Sequence, residues 1–206
     1  MIKIRFASIL MLLLLFAAGC GNTVETTLSE DYRRLNPYRV AVLPVVWEEE
    51  AADDAPSVSY LARVMAVEKL KSMSYSVVPL ETVDEGFLKE GTAAFFKRPP
   101  SEIASLTGAD ALLYTRIIEW DKSSFAAYAS LDIEASFELR SKDGTRLWSA
   151  LYATGDRDLR LDTESMELAV HKAYEARLQR FVDIVFKTLP KAEDPAGARE
   201  FFRWLP

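Results

Sequence analysis

The sequence predicts an α/β (α+β) sandwich, in which helices pack on a mixed parallel and antiparallel sheet of about five strands. Three stretches support this prediction. Residues 39–46 form a nearly continuous apolar run, which is typical of a strand buried on both faces. Residues 127–140 alternate apolar and polar side chains, as an antiparallel strand with one solvated face does. Residues 163–189 repeat apolar side chains along one face of a long amphipathic helix.

The other elements follow in order along the chain. Pro44 should end the first strand or mark a bulge in it. Apolar residues about three apart predict a helix over 58–73, and residues 75–80 form a second strand. A short helix over 83–88 is closed by Gly91, and another lies between Pro100 and Gly108. Residues 111–120 are the third strand.

The second half of the chain predicts a meander and a final helix. Asp143-Gly144 is a hairpin turn signal between the alternating strand and a return strand over 146–153. Asp162 or Thr163 can cap the last helix, which Pro190 terminates.

The first twenty residues have the layout of a lipoprotein signal peptide. Lys3 and Arg5 precede an uncharged stretch over 6–19, whose apolar part is too short for the roughly 20 residues of a membrane-spanning helix. It ends in Ala17-Ala18-Gly19-Cys20, which resembles a lipobox with alanine where leucine is commonest. The alternatives are an ordinary signal peptide or an uncleaved anchor.

Cys20 is the only cysteine in the chain, so it cannot form an internal disulfide. Lipidation explains its position, because two or more acyl chains anchor a protein stably. Gly21, rather than aspartate, follows the cysteine, which favours the outer membrane over the inner membrane by the sorting rule of enteric bacteria. We therefore expect a protein attached to the membrane through its N-terminal lipid and facing the periplasm.

The predicted organisation is a signal peptide over 1–19, a lipidated tether over 20–37, one domain over 38–190 and a C-terminal tail over 191–206. Loss of Lys3 and Arg5 leaves 23 basic residues against 31 acidic ones, which changes the net charge from −6 to about −8. Such an acidic chain without basic runs is not expected to bind nucleic acid.

The chain resembles a known family. The residues that carry the resemblance are the buried Val40-Ala41-Val42-Leu43-Pro44 strand, the strand over 75–80, the 101–113 segment and the hairpin over 142–149. This series resembles the uncharacterised bacterial lipoproteins typified by a meningococcal genome-derived antigen, whose domain is similar to the N-terminal domain of TolB. The same general fold occurs in lipoproteins of curli secretion, exopolysaccharide export and penicillin-binding synthase activation. The resemblance implies an accessory part in an envelope assembly and transfers no catalytic residue.

The search for chemistry gives few candidates. His171 and Glu175 form a His-x-x-x-Glu pair, but the sequence offers no second nitrogen or sulfur ligand for zinc, so a surface histidine is the simpler interpretation. Asp132 and Glu134 lie on the predicted wet strand face, where solvated carboxylates are the default. Neither a phosphate-binding glycine pattern nor a serine elbow is present. We therefore predict a protein that is not an enzyme, without cofactor or metal.

An acidic loop over 48–54 contains Glu48, Glu49, Glu50, Asp53 and Asp54. It could attract a hard cation, although it lacks the alternating ligand spacing and the turn glycine of a calcium loop. Its position after the first strand is where ligands often bind in open α/β sheets. A solvated loop is the alternative.

Two features suggest a protein partner. The C-terminal tail places Phe201, Phe202 and Trp204 beyond the last helix, where they either pack back on the domain or form an interface. The edge of the meander, with Phe125 and Tyr128, could accept another subunit.

The sequence thus favours a membrane-anchored periplasmic lipoprotein that acts as a non-catalytic subunit or assembly factor of an envelope complex for transport or secretion, with a protein partner or a homo-oligomer. The alternative is a periplasmic module that binds a small ligand or a cation through the acidic loop.

Overall fold

The computed structural model describes residues 23–48, 53–88, 91–125, 128–159 and 163–193. Within these ranges the elements run in the order β1 (Glu25–Leu28), α1 (Asp31–Leu35), β2 (Arg39–Val42), β3 (Val46–Trp47), α2 (Ala55–Ser72), β4 (Ser76–Val77), α3 (Leu80–Leu88), α4 (Thr92–Phe95), α5 (Pro100–Thr107), β5 (Ala111–Phe125), β6 (Tyr128–Ser141), β7 (Arg146–Leu159) and α6 (Thr163–Phe186).

The described strands form one seven-stranded sheet in the order β1-β7-β6-β5-β2-β4, and β3 pairs with β5. The pairs β1–β7, β7–β6 and β6–β5 are antiparallel, whereas β5–β2, β5–β3 and β2–β4 are parallel. The predicted mixed sheet with packed helices is therefore confirmed, with seven strands in place of about five.

Pro44 divides the predicted first strand into β2 and β3. Both pieces pair with β5, because Leu43 donates its N–H to the Leu113 carbonyl at 3.0 Å and Glu48 to the Ile117 carbonyl at 2.9 Å. The interruption falls at the residue that has no N–H to donate. Since β3 continues along β5, Val46 and Trp47 extend the parallel pairing beyond Pro44.

The sheet begins earlier than the sequence suggests. β1 lies within the predicted tether over 20–37, and it pairs with β7 from Glu25 opposite Leu151 to Leu28 opposite Trp148. All four β1 residues are exposed, so the strand shows no apolar alternation from which it could be predicted. It is held by backbone pairing, and the structured part of the chain thus starts before residue 38.

A pair of hydrogen-bonded tyrosines links helix α1 to the segment around Pro190 near the end of the domain. Tyr32 of α1 is buried, and its hydroxyl is hydrogen-bonded to the hydroxyl of Tyr75. Tyr75 in turn donates to the Pro190 carbonyl at 2.8 Å, and Ala192 donates its N–H to the Met73 carbonyl at 3.0 Å. Burial raises the pKa of both tyrosine hydroxyls, so they remain neutral donors.

Two hydrophobic clusters lie on opposite faces of the sheet. The larger cluster packs α2 and α6 against β2, β5, β6 and β7, and its largest fully buried side chains include Trp148, Phe181 and Phe186. The smaller cluster packs α3, α4 and α5 against the other face of β2 and the start of β5, around Phe95 and Leu112. The helices over the smaller cluster therefore cover only the parallel end of that face.

The long elements differ from prediction at their ends. β5 extends to Phe125 and β7 to Leu159, beyond the predicted ends at 120 and 153. The last helix, α6, ends at Phe186 rather than near 189, and Thr188 then accepts a hydrogen bond from the Trp148 indole at 3.1 Å. In the described part of the chain, no helix is both long enough and apolar enough to cross a bilayer.

Candidate functional site

The described helices leave the antiparallel part of one sheet face uncovered. The smaller hydrophobic cluster reaches only to Leu112 and Tyr114 of β5, where Phe96 closes it. Beyond this point polar side chains lie opposite one another on β5 and β6. We call this surface the open face; its described members are Tyr114, Arg116, Glu119, Asp121, Asp132, Glu134, Ser136, Glu138 and Arg140.

A pocket of about 560 Å³ lies at the edge of the open face, where the smaller cluster ends. Its volume is in the range of small-molecule sites. Phe96 and Val46 contribute apolar surface, and β5 and β6 supply the remaining side chains. The lining residues are Val46, Phe96, Tyr114, Thr115, Arg116, Ser136, Glu138 and Arg140.

Two arginines line this pocket, and each is paired with a carboxylate. Arg140 contacts Glu138 through two nitrogens, of which Nε lies 2.8 Å from Oε2. Arg146 approaches the other oxygen of Glu138 at 3.8 Å. Arg116 donates to Glu48 at 2.8 Å. Each lining arginine is thus paired with one carboxylate in the described contacts.

Tyr114 forms part of the pocket wall. The guanidinium carbon of Arg140 lies 5.2 Å from the centre of the Tyr114 ring, and Phe96 packs against the same ring with a centroid distance of 6.3 Å. Burial raises the pKa of the Tyr114 hydroxyl, and the charge of Arg140 only partly opposes this rise. The phenol is therefore a neutral donor and acceptor at physiological pH, and the arginine is held over an aromatic face.

The far end of the open face is acidic. Glu119 lies opposite Glu134, and Asp121 lies opposite Asp132, so like charges face each other in two successive cross-strand pairs. Gly155 lies opposite Asp132 on β7, and an added Cβ there would overlap its carboxylate. In the described residues, no group of three His, Cys, Asp or Glu side chains could hold a metal ion. Asp132 and Glu134 thus lie together, as predicted, on the polar face of β6.

Several predicted site residues lie outside the described part of the chain. These are the lipidation candidate Cys20, the three tail aromatics Phe201, Phe202 and Trp204, and the loop acids Glu49 and Glu50. His171 belongs to α6 and Phe125 and Tyr128 to the β5–β6 hairpin, but their side chains are also outside the described set. Glu175 is exposed on α6. The predictions for these residues stay predictions.

The described acids of the loop have different surroundings. Glu48 is bound to Arg116, Asp53 is exposed, and Asp54 is the residue that precedes α2. Glu48 is therefore engaged with an arginine of β5. The cation-binding alternative also involves Glu49 and Glu50, which lie outside the described residues, and it stays a prediction.

The sequence pattern did not reveal the pocket. The alternation over residues 127–140 places Ser136, Glu138 and Arg140 on the solvated face of their strand. Alternation alone does not say which part of that face a helix covers. The pocket also needs Arg116 beside Ser136 and Phe96 above Tyr114, and these contacts depend on strand order. A usable signal is the third strand itself, where Tyr114, Thr115 and Arg116 interrupt the apolar run of residues 111–118.

No family model matches this sequence, and no curated protein does. Solved structures do share its fold. Lipoprotein GNA1162 from Neisseria meningitidis superposes with a TM-score of 0.51 at 20% identity, over 68% of this chain and 96% of that chain. The PelC dodecamer from Paraburkholderia phytofirmans gives a TM-score of 0.53 at 17% identity, over 84% of this chain and 100% of that chain. The chain thus has the α+β fold of these two proteins, one of which is a lipoprotein; similarity to the TolB domain remains a prediction.

Proposed function

We propose that this protein is a lipoprotein anchored through Cys20, which serves as a non-catalytic subunit or assembly factor of a cell-envelope complex. The observation that carries the proposal is the fold shared with lipoprotein GNA1162, in a chain whose own single cysteine follows a short apolar N-terminal stretch. The periplasmic side of the outer membrane is the proposed location, because Gly21 follows the cysteine.

The position of β1 supports a role close to the membrane. β1 begins at Glu25, so only four residues separate it from Cys20. A fully extended chain covers about 3.5 Å per residue, which limits the distance between the acylated cysteine and the sheet to about 17 Å. The domain is therefore held against the bilayer rather than extended far into the periplasm.

Self-association is the form of assembly that we propose first. PelC, which shares the fold, is a dodecamer. In this chain, β1 pairs with β7 only as far as Leu151, and among the described residues no strand pairs with the same edge of β7 beyond that point. An unpaired strand edge is a template for a neighbouring chain. We propose that a second copy pairs with this edge.

Anchoring can be tested by labelling growing cells with a palmitate analogue. The wild-type chain should incorporate the label, Cys20→Ser should lose it, and the adjacent control Asn22→Ser should keep it. An unlabelled wild-type chain would refute the lipid anchor. Gly21→Asp should move the labelled protein toward the inner membrane in fractionated cells, and an unchanged distribution would refute the proposed sorting.

Assembly is tested separately, by chemical crosslinking in intact cells followed by mass measurement of the detergent-solubilised protein. A discrete oligomer or a defined co-purifying envelope protein is expected. Monomer alone, at high concentration and after crosslinking, would contradict the role in a complex even if lipidation is confirmed.

A further inference from the structure

We propose that the pocket on the open face is a binding site for a small carboxylic acid whose carboxylate is attached to an apolar or aromatic body. The proposal rests on the pocket lined by Phe96, Tyr114, Arg116, Ser136 and Arg140. It is independent of lipidation and of assembly, because none of these residues belongs to the tether or to the free edge of β7.

The two lining arginines have more N–H donors than their described contacts use. A guanidinium has five N–H donors, of which Arg140 uses two on Glu138 and Arg116 uses one on Glu48 in the described contacts. Both side chains remain accessible, at 40% and 55% of their surface. Their remaining N–H groups can therefore reach a bound carboxylate, which arginine recognises through paired hydrogen bonds.

The same pocket has an apolar side. Phe96 and Tyr114 are both half-buried and pack on each other, and Val46 of β3 lies on the pocket wall with them. A ligand that carries only a charge would leave this surface in contact with water. An aromatic or aliphatic body would cover it, and burial of apolar area stabilises a complex by roughly 25 cal/mol per Å².

The arginines are already oriented before a ligand arrives. The Arg140 guanidinium is hydrogen-bonded to Glu138 and lies over the Tyr114 ring. Arg116 is hydrogen-bonded to Glu48. Fixed donors lose less conformational entropy on binding than mobile ones do. Ser136 lies opposite Arg116 between the strands and adds a hydroxyl to the pocket.

The test uses fluorine NMR of 4-fluorophenylacetate with the full chain in a non-ionic detergent at pH 7.5. The acid should show line broadening that saturates with protein concentration, and the neutral analogue 4-fluorophenylacetamide should not. Equal broadening of both compounds, or none with the acid, would overturn the proposal.

Variants locate the binding. Arg140→Gln should weaken the affinity about tenfold, the effect of losing a charge-assisted hydrogen bond. Ser136→Tyr should abolish binding by filling the pocket, and Arg34→Gln, an equal loss of charge on α1, should leave it unchanged. The melting temperature of each variant shows whether it is folded. If Arg140→Gln has a lowered melting temperature, Arg116→Gln provides the same test of binding. If the folded pocket variants bind as tightly as wild type, the site is refuted.

Discussion

Lys69 of α2 and Asp183 of α6 join the two helices of the larger cluster, with the lysine Nζ at 2.6 Å from the carboxylate Oδ1. This hydrogen bond is the main reason why the pKa of Asp183 lies below its ordinary value, with a smaller contribution from Gln179. This ion pair lies on the solvent side of the contact between α2 and α6, whose buried side is apolar.

The sign of the pKa shift fixes a pH dependence of stability. Because the folded pKa of Asp183 is lower than the unfolded value of 3.8, the pair stabilises the fold above that pH, and the contribution is lost as the pH falls through the lower folded pKa. Asp183 is 39% exposed, so solvent screening limits the contribution to under about 1 kcal/mol. Asp183→Asn should therefore destabilise the protein at pH 7, and its difference from wild type in chemical denaturation should shrink as the pH falls below 3.8. A constant difference across this pH range would contradict the assignment.

The ion pair of Arg63 and Asp84 connects α2 to α3 across the sheet edge. Arg63 donates to Asp84 and to the Val42 carbonyl, and its side chain is only 9% exposed against 33% for Asp84. Asp84→Ala should cost about 2–3 kcal/mol, because it leaves a buried guanidinium without its counter-ion. The double variant Arg63→Met, Asp84→Ala should recover part of this loss in urea denaturation. If the double variant loses as much unfolding free energy as Asp84→Ala and Arg63→Met lose together when measured singly, the coupling is refuted.

The Tyr32–Tyr75 pair predicts how the N-terminal segment detaches. Tyr32→Ala removes a buried ring and a hydrogen bond, so α1 and β1 should exchange amide hydrogens faster while β5 and β6 stay protected. Tyr32→Phe keeps the ring and should cost only about 1 kcal/mol. Hydrogen exchange measured by mass spectrometry distinguishes the two variants. Uniformly faster exchange in Tyr32→Ala would show instead that the whole domain depends on this contact.

The free edge of β7 gives a prediction for assembly. Ala153 is exposed just beyond the end of β1, and Ala153→Lys adds to that edge the side chain that natural sheets use to prevent edge pairing. If copies associate there, the oligomer should dissociate in analytical ultracentrifugation. Ser105→Lys on α5 is the matched control and should sediment like wild type. An intact oligomer in Ala153→Lys would place the interface elsewhere.

The sequence predicts a strand well where alternate residues are buried, because this leaves a pattern of apolar and polar side chains. β6 was predicted well because Ile133, Ala135 and Phe137 are buried and the residues between them are half-buried. The Pro44 interruption was predicted because the missing N–H is a local property. β1 leaves no pattern because both of its faces are exposed, and its pairing with β7 joins residues 120 to 126 positions apart.

The pocket was beyond prediction for a related reason. The polar row of β6 is visible in the sequence, but Arg116 joins it only because β5 pairs with β6 in the register that sets Arg116 opposite Ser136. The register shift after Ile117 then places Glu119 opposite Glu134, at the acidic end of the open face. Register of this kind depends on tertiary packing.

The short antiparallel pairing of β1 with β7 also has a mechanical meaning. A force transmitted from the proposed lipid anchor to Glu25 along the strand axis would slide β1 past β7, so its four cross-strand pairs would be loaded together rather than broken one after another. Peeling would need a pull at right angles to the strand. The attachment should therefore resist tension best when the strand points toward the membrane, and a single-molecule pulling experiment would report the load that this small sheet edge can bear.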